Sequence, residues 1–230
     1  MEFCSYCHGG CCRALNVEVV GYDILKIHKT LGIDPFLFLT VVPVEGEKLK
    51  ENFGKNPLFK FTDLNPEKYY KLILQSKSTQ IFGDYSSKCI FLMEWDSKKL
   101  GAKTSEPVVA RCGIYHCRPY TCRTFPAKLN EDLLPVMQDP HSGIKSLNEE
   151  YWQKPGYKLC PKPVEENDYI NFSDQYFKDL YAQHCETEYF LKVSQKWNQN
   201  PDISDNFITF IEKEYSNRLL PPKKNKKPSA

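Results

Sequence analysis

The sequence predicts an α+β fold: a mostly helical single domain with a small β-hairpin and long irregular segments. Three observations carry this expectation. Apolar residues recur at helical spacing near residues 17–31, 173–197 and 204–219. Between residues 80 and 115, short runs of strand-forming residues alternate with turn-rich connections. From 127 to 168 the chain is rich in Pro, Asn and Gly and shows no periodicity. A chain of 230 residues can bury a real core in one domain with an appendage.

Each element has its own reason. Val17 to Leu31 reads as a helix that ends near Gly32, with Asp34-Pro35 turning the chain. Phe36 to Val44 is short and apolar, and suits either a buried turn of helix or a strand. Residues 45–57 are polar and loop-like. Pro66 to Gln75 reads as a helix with proline in its first turn, where the missing N–H costs nothing. Gln80–Phe82 and Cys89–Trp95 are strand candidates, and Val108–Tyr115 returns after the turn-rich 96–107 to close the hairpin. Pro119 and Pro126 bracket a short helix that sets Cys122 against that hairpin. One helix then runs over 173–197, with Tyr176 and Phe177 as core. A last helix spans 204–219, with Ser204 as N-cap and Phe207, Ile208, Ile211, Tyr215 and Leu219 on one face. Phe210 is also placed in the core.

Charged residues are 26% of the chain and net charge is +2, with the basic residues spread out, so no nucleic-acid partner is expected. Only the tail PPKKNKKPSA, residues 221–230, is strongly basic, and it reads as disordered. No apolar stretch approaches the ~18 residues of a membrane span, so no membrane partner is expected either. MEFCSYC carries no positive n-region and no apolar h-region, which points to the reducing cytoplasm.

Ten cysteines are the outstanding feature. Four fall within CSYCHGGCC, as Cys4, Cys7, Cys11 and Cys12. Cys89 stands in KCIFLMEW. Cys112, Cys117 and Cys122 stand in RCGIYHCRPYTCRTFPA, Cys160 in KLCPKP, and Cys185 alone in a helix. Disulfides do not suit a reducing compartment. A nucleophilic thiol usually works as a single sulfur beside a base, and His8 and His116 adjoin cysteines here, but clustered thiols bind metal first. Metal ligation is the reading that remains. A C-x2-C step curls two thiolates around one ion and a C-x3-C step returns a third, with Gly9 and Gly10 allowing the tight turn. Adjacent side chains diverge, so Cys11 and Cys12 are expected to serve two centres, or one of them to stand behind the ligands without binding. Eight thiolates add roughly −8 in charge, which two divalent ions or two [4Fe–4S] clusters each offset by about +2. All-thiolate ligation suits zinc and iron–sulfur equally. The order C-x2-C-x3-C is the reverse of the radical-SAM signature, and no Gly-rich nucleotide loop, HExxH or GxSxG is present.

The combination of CSYCHGGCC, CIFL, CGIYHCRPYTCRTFPA and LCP resembles the YkgJ-type cysteine-cluster proteins, a CxxCxxxCC domain family described as zinc- or iron-chelating. The cysteine pattern is also similar to one in flagellin lysine N-methylases. The resemblance covers about residues 1–162. It implies a cysteine-cluster metal-binding domain over 1–162, with a helical extension at 163–220 packed on it. The metal ligands implied are Cys4, Cys7, Cys11, Cys12, Cys89, Cys112, Cys122 and Cys160, and the cofactor is an iron–sulfur cluster or zinc. The irregular segments would then be held by the metal centres, and the role would be structural or redox, with a protein or redox partner of unspecified identity. The alternative implied is an S-adenosylmethionine-dependent protein lysine N-methyltransferase, for which the chain shows no glycine-rich loop. Cys117 is an extra thiol relative to the family pattern, and Cys185 lies outside it. Arg118 and Arg123 are read first as structural, with thiolate charge or an anionic substrate as their other use. Tyr115 and Phe125 are read as packing around the centre. His8, His116, His141 and His184 are not expected to ligate.

Overall fold

The computed structural model describes residues 9–79, 86–96, 108–125, 127–137 and 174–218. Over these the chain combines helices with small antiparallel sheets, an α+β composition. The strand candidate Gln80–Phe82, most of the stretch 127–168 and the basic tail lie outside the described residues.

The elements follow in chain order. Helix α1 is Cys11–Ala14 and α2 is Gly21–Leu31. Gly32 closes α2 in the left-handed conformation at φ 64°, and its N–H bonds to the His28 carbonyl, as glycine at a helix end allows. Pro35–Leu37 make a 3-10 turn, and strand β1 is Leu39–Val44. The apolar run 36–44 is therefore part helical turn and part strand. Helix α3, Gly46–Asn52, occupies a stretch expected to be loop.

The largest correction concerns residues 66–75. They form strand β2, Tyr69–Leu74, in antiparallel register with β1 from Leu39↔Leu74 to Val44↔Tyr69. Pro66 opens a turn, not a helix: the Asn65 side chain accepts the Glu67 N–H, and Lys68 N–H closes on the Asn65 carbonyl at 3.1 Å. Aromatic and β-branched residues in YYKLIL pack well on a pleated surface. The other edge of β2 is covered by single bridges from Glu18 and Phe59. Residues 17–20 are thus extended, with Val17 and Val19 inward, and the helix begins only at Gly21.

Strand β3 is Ser76–Thr79, β4 is Ser86–Cys89, β5 is Leu92–Asp96 and β6 is Val108–Cys112. β3 pairs with β4, and β5 pairs with β6 as the expected hairpin, with Leu92 opposite Cys112. The candidate Cys89–Trp95 is split between two sheets by a turn at Ile90-Phe91. A 3-10 turn at Tyr115–Cys117 leads to helix α4, Tyr120–Thr124. Strands β7, Ala127–Leu129, and β8, Pro135–Met137, form a further small antiparallel pair inside the stretch expected to be irregular.

Helix α5 is Asp174–Gln199 and α6 is Ser204–Arg218. Ser204 does not cap α6 with its own side chain. Instead Asp63 accepts both the Ser204 N–H, at 2.9 Å, and its hydroxyl. The helices share one continuous core with the N-terminal half: Phe59, Phe61, Phe190, Phe207 and Trp197 interlock with ring centroids about 5–6 Å apart. Ile24, Ile27 and Ile211 complete it, and all three are fully buried. Tyr176 belongs to a smaller cluster with Leu180 and Ala127, against which Phe177 packs. No described helix is long and apolar enough to cross a membrane.

Candidate metal centre

The cysteines reach one place from four elements. Gly9 turns the chain into α1 at φ +77°, and a Cβ there would lie 2.8 Å from Leu92 and 3.3 Å from Ala110. Only glycine satisfies both the backbone and the space. Gly10 is ordinary right-handed helix and needs no such freedom. Cys11 and Cys12 then open α1, Cys89 ends β4, Cys112 ends β6, and Cys122 sits in α4. All five line a single cavity of about 600 Å³.

The Cys11 and Cys12 sulfurs stand 4.0 Å apart. Two sulfurs bound tetrahedrally to one ion at about 2.3 Å are separated by about 3.8 Å. The two side chains therefore do not diverge, and their spacing is one that a shared ion accepts. Cys89 and Cys112 are held alike. The Phe91 N–H donates toward the Cys89 sulfur and the Ile114 N–H toward Cys112, each two residues on. The two turns are themselves joined by Gly113 N–H to the Phe91 carbonyl at 2.8 Å. Such N–H donors favour the thiolate, the form that binds metal.

Charge in the cavity is finely opposed. The hydrogen bond from Cys12 holds Cys11 below the ordinary thiol value. That same bond, with burial, pushes Cys12 well above it. Burial raises Cys89 to about 11. Burial, and then the charges of Cys11, Cys89 and Cys112, push Cys122 well up. Burial also raises Cys112, while Arg118 works the other way on both Cys112 and Cys11. Without a counter-charge the cavity resists holding several thiolates at once, and a cation that replaces the protons removes that resistance. Among the described residues, no three Cys, His, Asp or Glu side chains are already closed to metal-binding spacing.

Two supports escaped the sequence reading. Arg13, one residue after Cys12, enters the interior and pairs with Glu94 on β5. Lys88, one residue before Cys89, pairs with the other Glu94 oxygen, and Thr79 donates to it at 3.0 Å. The Arg13 and Glu94 side chains are 0% and 2% exposed. Burial works against ionisation of Glu94, yet the hydrogen bonds from Lys88 and Arg13 hold its carboxyl below the usual range. This ion network fixes the residues flanking Cys12 and Cys89. Its one sequence signal is a charged residue set between apolar neighbours in the short strand LMEWD. The second support is Asp23 of α2, which is buried and accepts the Tyr120 N–H at 3.1 Å, anchoring the start of the helix that carries Cys122.

Cys4, Cys7, Cys160, His8 and His141 lie outside the described residues. Cys117 is buried in the hydrophobic core and Cys185 is exposed on α5. All seven described cysteines are free thiols. His116 is exposed, and His184 pairs with Glu188 one helical turn away. Arg123 is structural: it bonds Asp179 at 3.0 Å and stacks on Tyr120. Phe125 lines the cavity as expected. Tyr115 lines the cavity too, but at its edge: it is 52% exposed, with the Arg118 guanidinium 4.2 Å over its ring. No protein-family model matches the chain, and neither a curated protein nor a solved structure resembles it to a significant degree.

Proposed function

We propose that this chain is a cysteine-cluster metal protein. Cys11, Cys12, Cys89, Cys112 and Cys122 supply the described part of the ligand set, and Cys4, Cys7 and Cys160 complete it. The group held is an iron–sulfur cluster or zinc. As zinc it fastens the chain; as iron–sulfur it also carries electrons to or from a protein partner. The observation that carries this reading is the convergence of five thiols, from four separate elements, on one cavity. Cytoplasmic location belongs to the same reading, because a reducing compartment keeps these thiols free for metal.

The test is elemental analysis of anaerobically purified protein. The expected result is iron or zinc bound through cysteine. Brown protein absorbing near ~400 nm identifies iron–sulfur. Colourless protein that gives zinc to a chelator, and loses thermal stability as it does, identifies zinc. Metal-free protein that stays fully folded rules the reading out. Saturating S-adenosylmethionine serves as a separate arm: a rise in Tm with that ligand moves the reading to methyl transfer.

A further inference from the structure

The cavity is larger than a single ion and its five described sulfurs require. A tetrahedral thiolate site extends only about 2.3 Å from its ion. The cavity holds about 600 Å³, inside the range of roughly 300–1,000 Å³ that takes small organic molecules. Beyond the cysteines its wall is mostly apolar, with Leu15, Val17, Phe91, Leu92 and Phe125 among the lining residues.

The arginines divide in a telling way. Five are described: Arg13, Arg111, Arg118, Arg123 and Arg218. Arg13 pairs with Glu94, Arg123 with Asp179 and Arg218 with Glu186. Among the described residues Arg111 and Arg118 form no ion pair with a carboxylate, and these are the two cations that line the cavity. The Arg118 guanidinium carbon lies 4.2 Å over the exposed Tyr115 ring, a contact that restrains the group while leaving its N–H donors for a planar acid.

We propose that the cavity binds a small amphipathic organic anion, with its acidic group on Arg118 and Arg111 and its apolar body against Leu15, Phe91 and Phe125. The competing role for Arg118 is to offset thiolate charge alone. Anion binding goes beyond the metal reading and does not depend on which metal the thiols hold.

The probe is 1-anilinonaphthalene-8-sulfonate, titrated by fluorescence into the intact, anaerobically purified protein. Uncharged N-phenyl-1-naphthylamine is the control, and metal content is measured in every sample. The expected result is one sulfonate probe per chain. Arg118→Gln should weaken it by about tenfold or more, as loss of a charge-assisted contact does. Arg111→Gln, at an exposed position, should weaken it less. Asn16→Trp, at the exposed rim, should block it. The uncharged control should not respond to Arg118→Gln. Equal binding of the sulfonate to the wild type and Arg118→Gln overturns the proposal. So does an Arg118→Gln protein that loses metal but binds the probe as before, which assigns Arg118 to the thiolates.

Discussion

At position 9 a methyl group has nowhere to go. The backbone is left-handed there, and Leu92 and Ala110 fill the space a Cβ would need. Gly9→Ala should destabilise the chain by about 1–3 kcal/mol, through strain and displacement together. Urea unfolding measures this, and because Cys11 and Cys12 follow directly, bound metal per chain should fall as well. Asp23 makes a different kind of contribution. Burial raises its carboxyl to about 7, against the N–H donors of Tyr120 and Val20 and the charge of Arg123, while Glu186 adds to the rise. A folded-state value above the ordinary 3.8 means that folding favours the protonated acid. Its contribution is therefore complete below about pH 4 and is lost as pH rises through 7. Asp23→Asn cannot ionise, so its unfolding free energy should lack the loss of a few kcal/mol that the wild type shows between pH 4 and 7, at about 1.4 kcal/mol per pKa unit. Of these two residues, Gly9 was legible in the sequence, because a glycine before paired cysteines announces a tight turn. Asp23 was not, because its partner lies 97 residues away.

Among the elements, α1 is too short to hold itself. Four residues cannot sustain a helix in water. It is fastened by Arg13 to Glu94 on β5, and Glu94 also holds Lys88 on β4. Removing the shared anion leaves two cations facing a neutral group in the interior. Glu94→Gln should cost about 3–5 kcal/mol. It should also make Cys12 and Cys89 react faster with a thiol reagent in the native protein. The cysteine clusters marked residues that the fold brings together, five of them on one cavity, and the long helices α5 and α6 showed their 3.6 period plainly. The failure at 66–75 has a physical cause. YYKLIL is a short apolar run, and such a run suits a buried strand as well as a helix. What decides between them is β1, some thirty residues earlier, which offers an unpaired edge. The extended Val17–Val20 was missed for the same reason: its ladder partner is that very strand.

For the whole molecule, the proposed metal centre carries a pH prediction, because the raised thiols would have to lose protons to bind a cation. Cys89 lies at about 11, and Cys12, Cys112 and Cys122 are raised too, so below pH 9 an entering cation must displace their protons. Competition against a chelator should show apparent affinity falling by roughly tenfold per pH unit for each proton released. Titration in weak buffer should show acid appearing on metal addition. A site of pre-ionised thiolates would show neither.

The end of α5 has a consequence for how the chain is made. Asn198 accepts the Lys60 N–H at 2.8 Å and donates to the Leu58 carbonyl at 2.8 Å, and Trp197 donates to the Lys60 carbonyl. One helical turn thus does for residues 58–60 what a neighbouring strand would do, across 138 positions of sequence. During vectorial synthesis Phe59 and Phe61 emerge long before the partner that will cover them. Until Trp197 clears the ribosome, those rings are exposed apolar surface on a nascent chain, open to capture by a holding chaperone. The clamp makes completion of the core a late event, coupled to the appearance of the C-terminal helices.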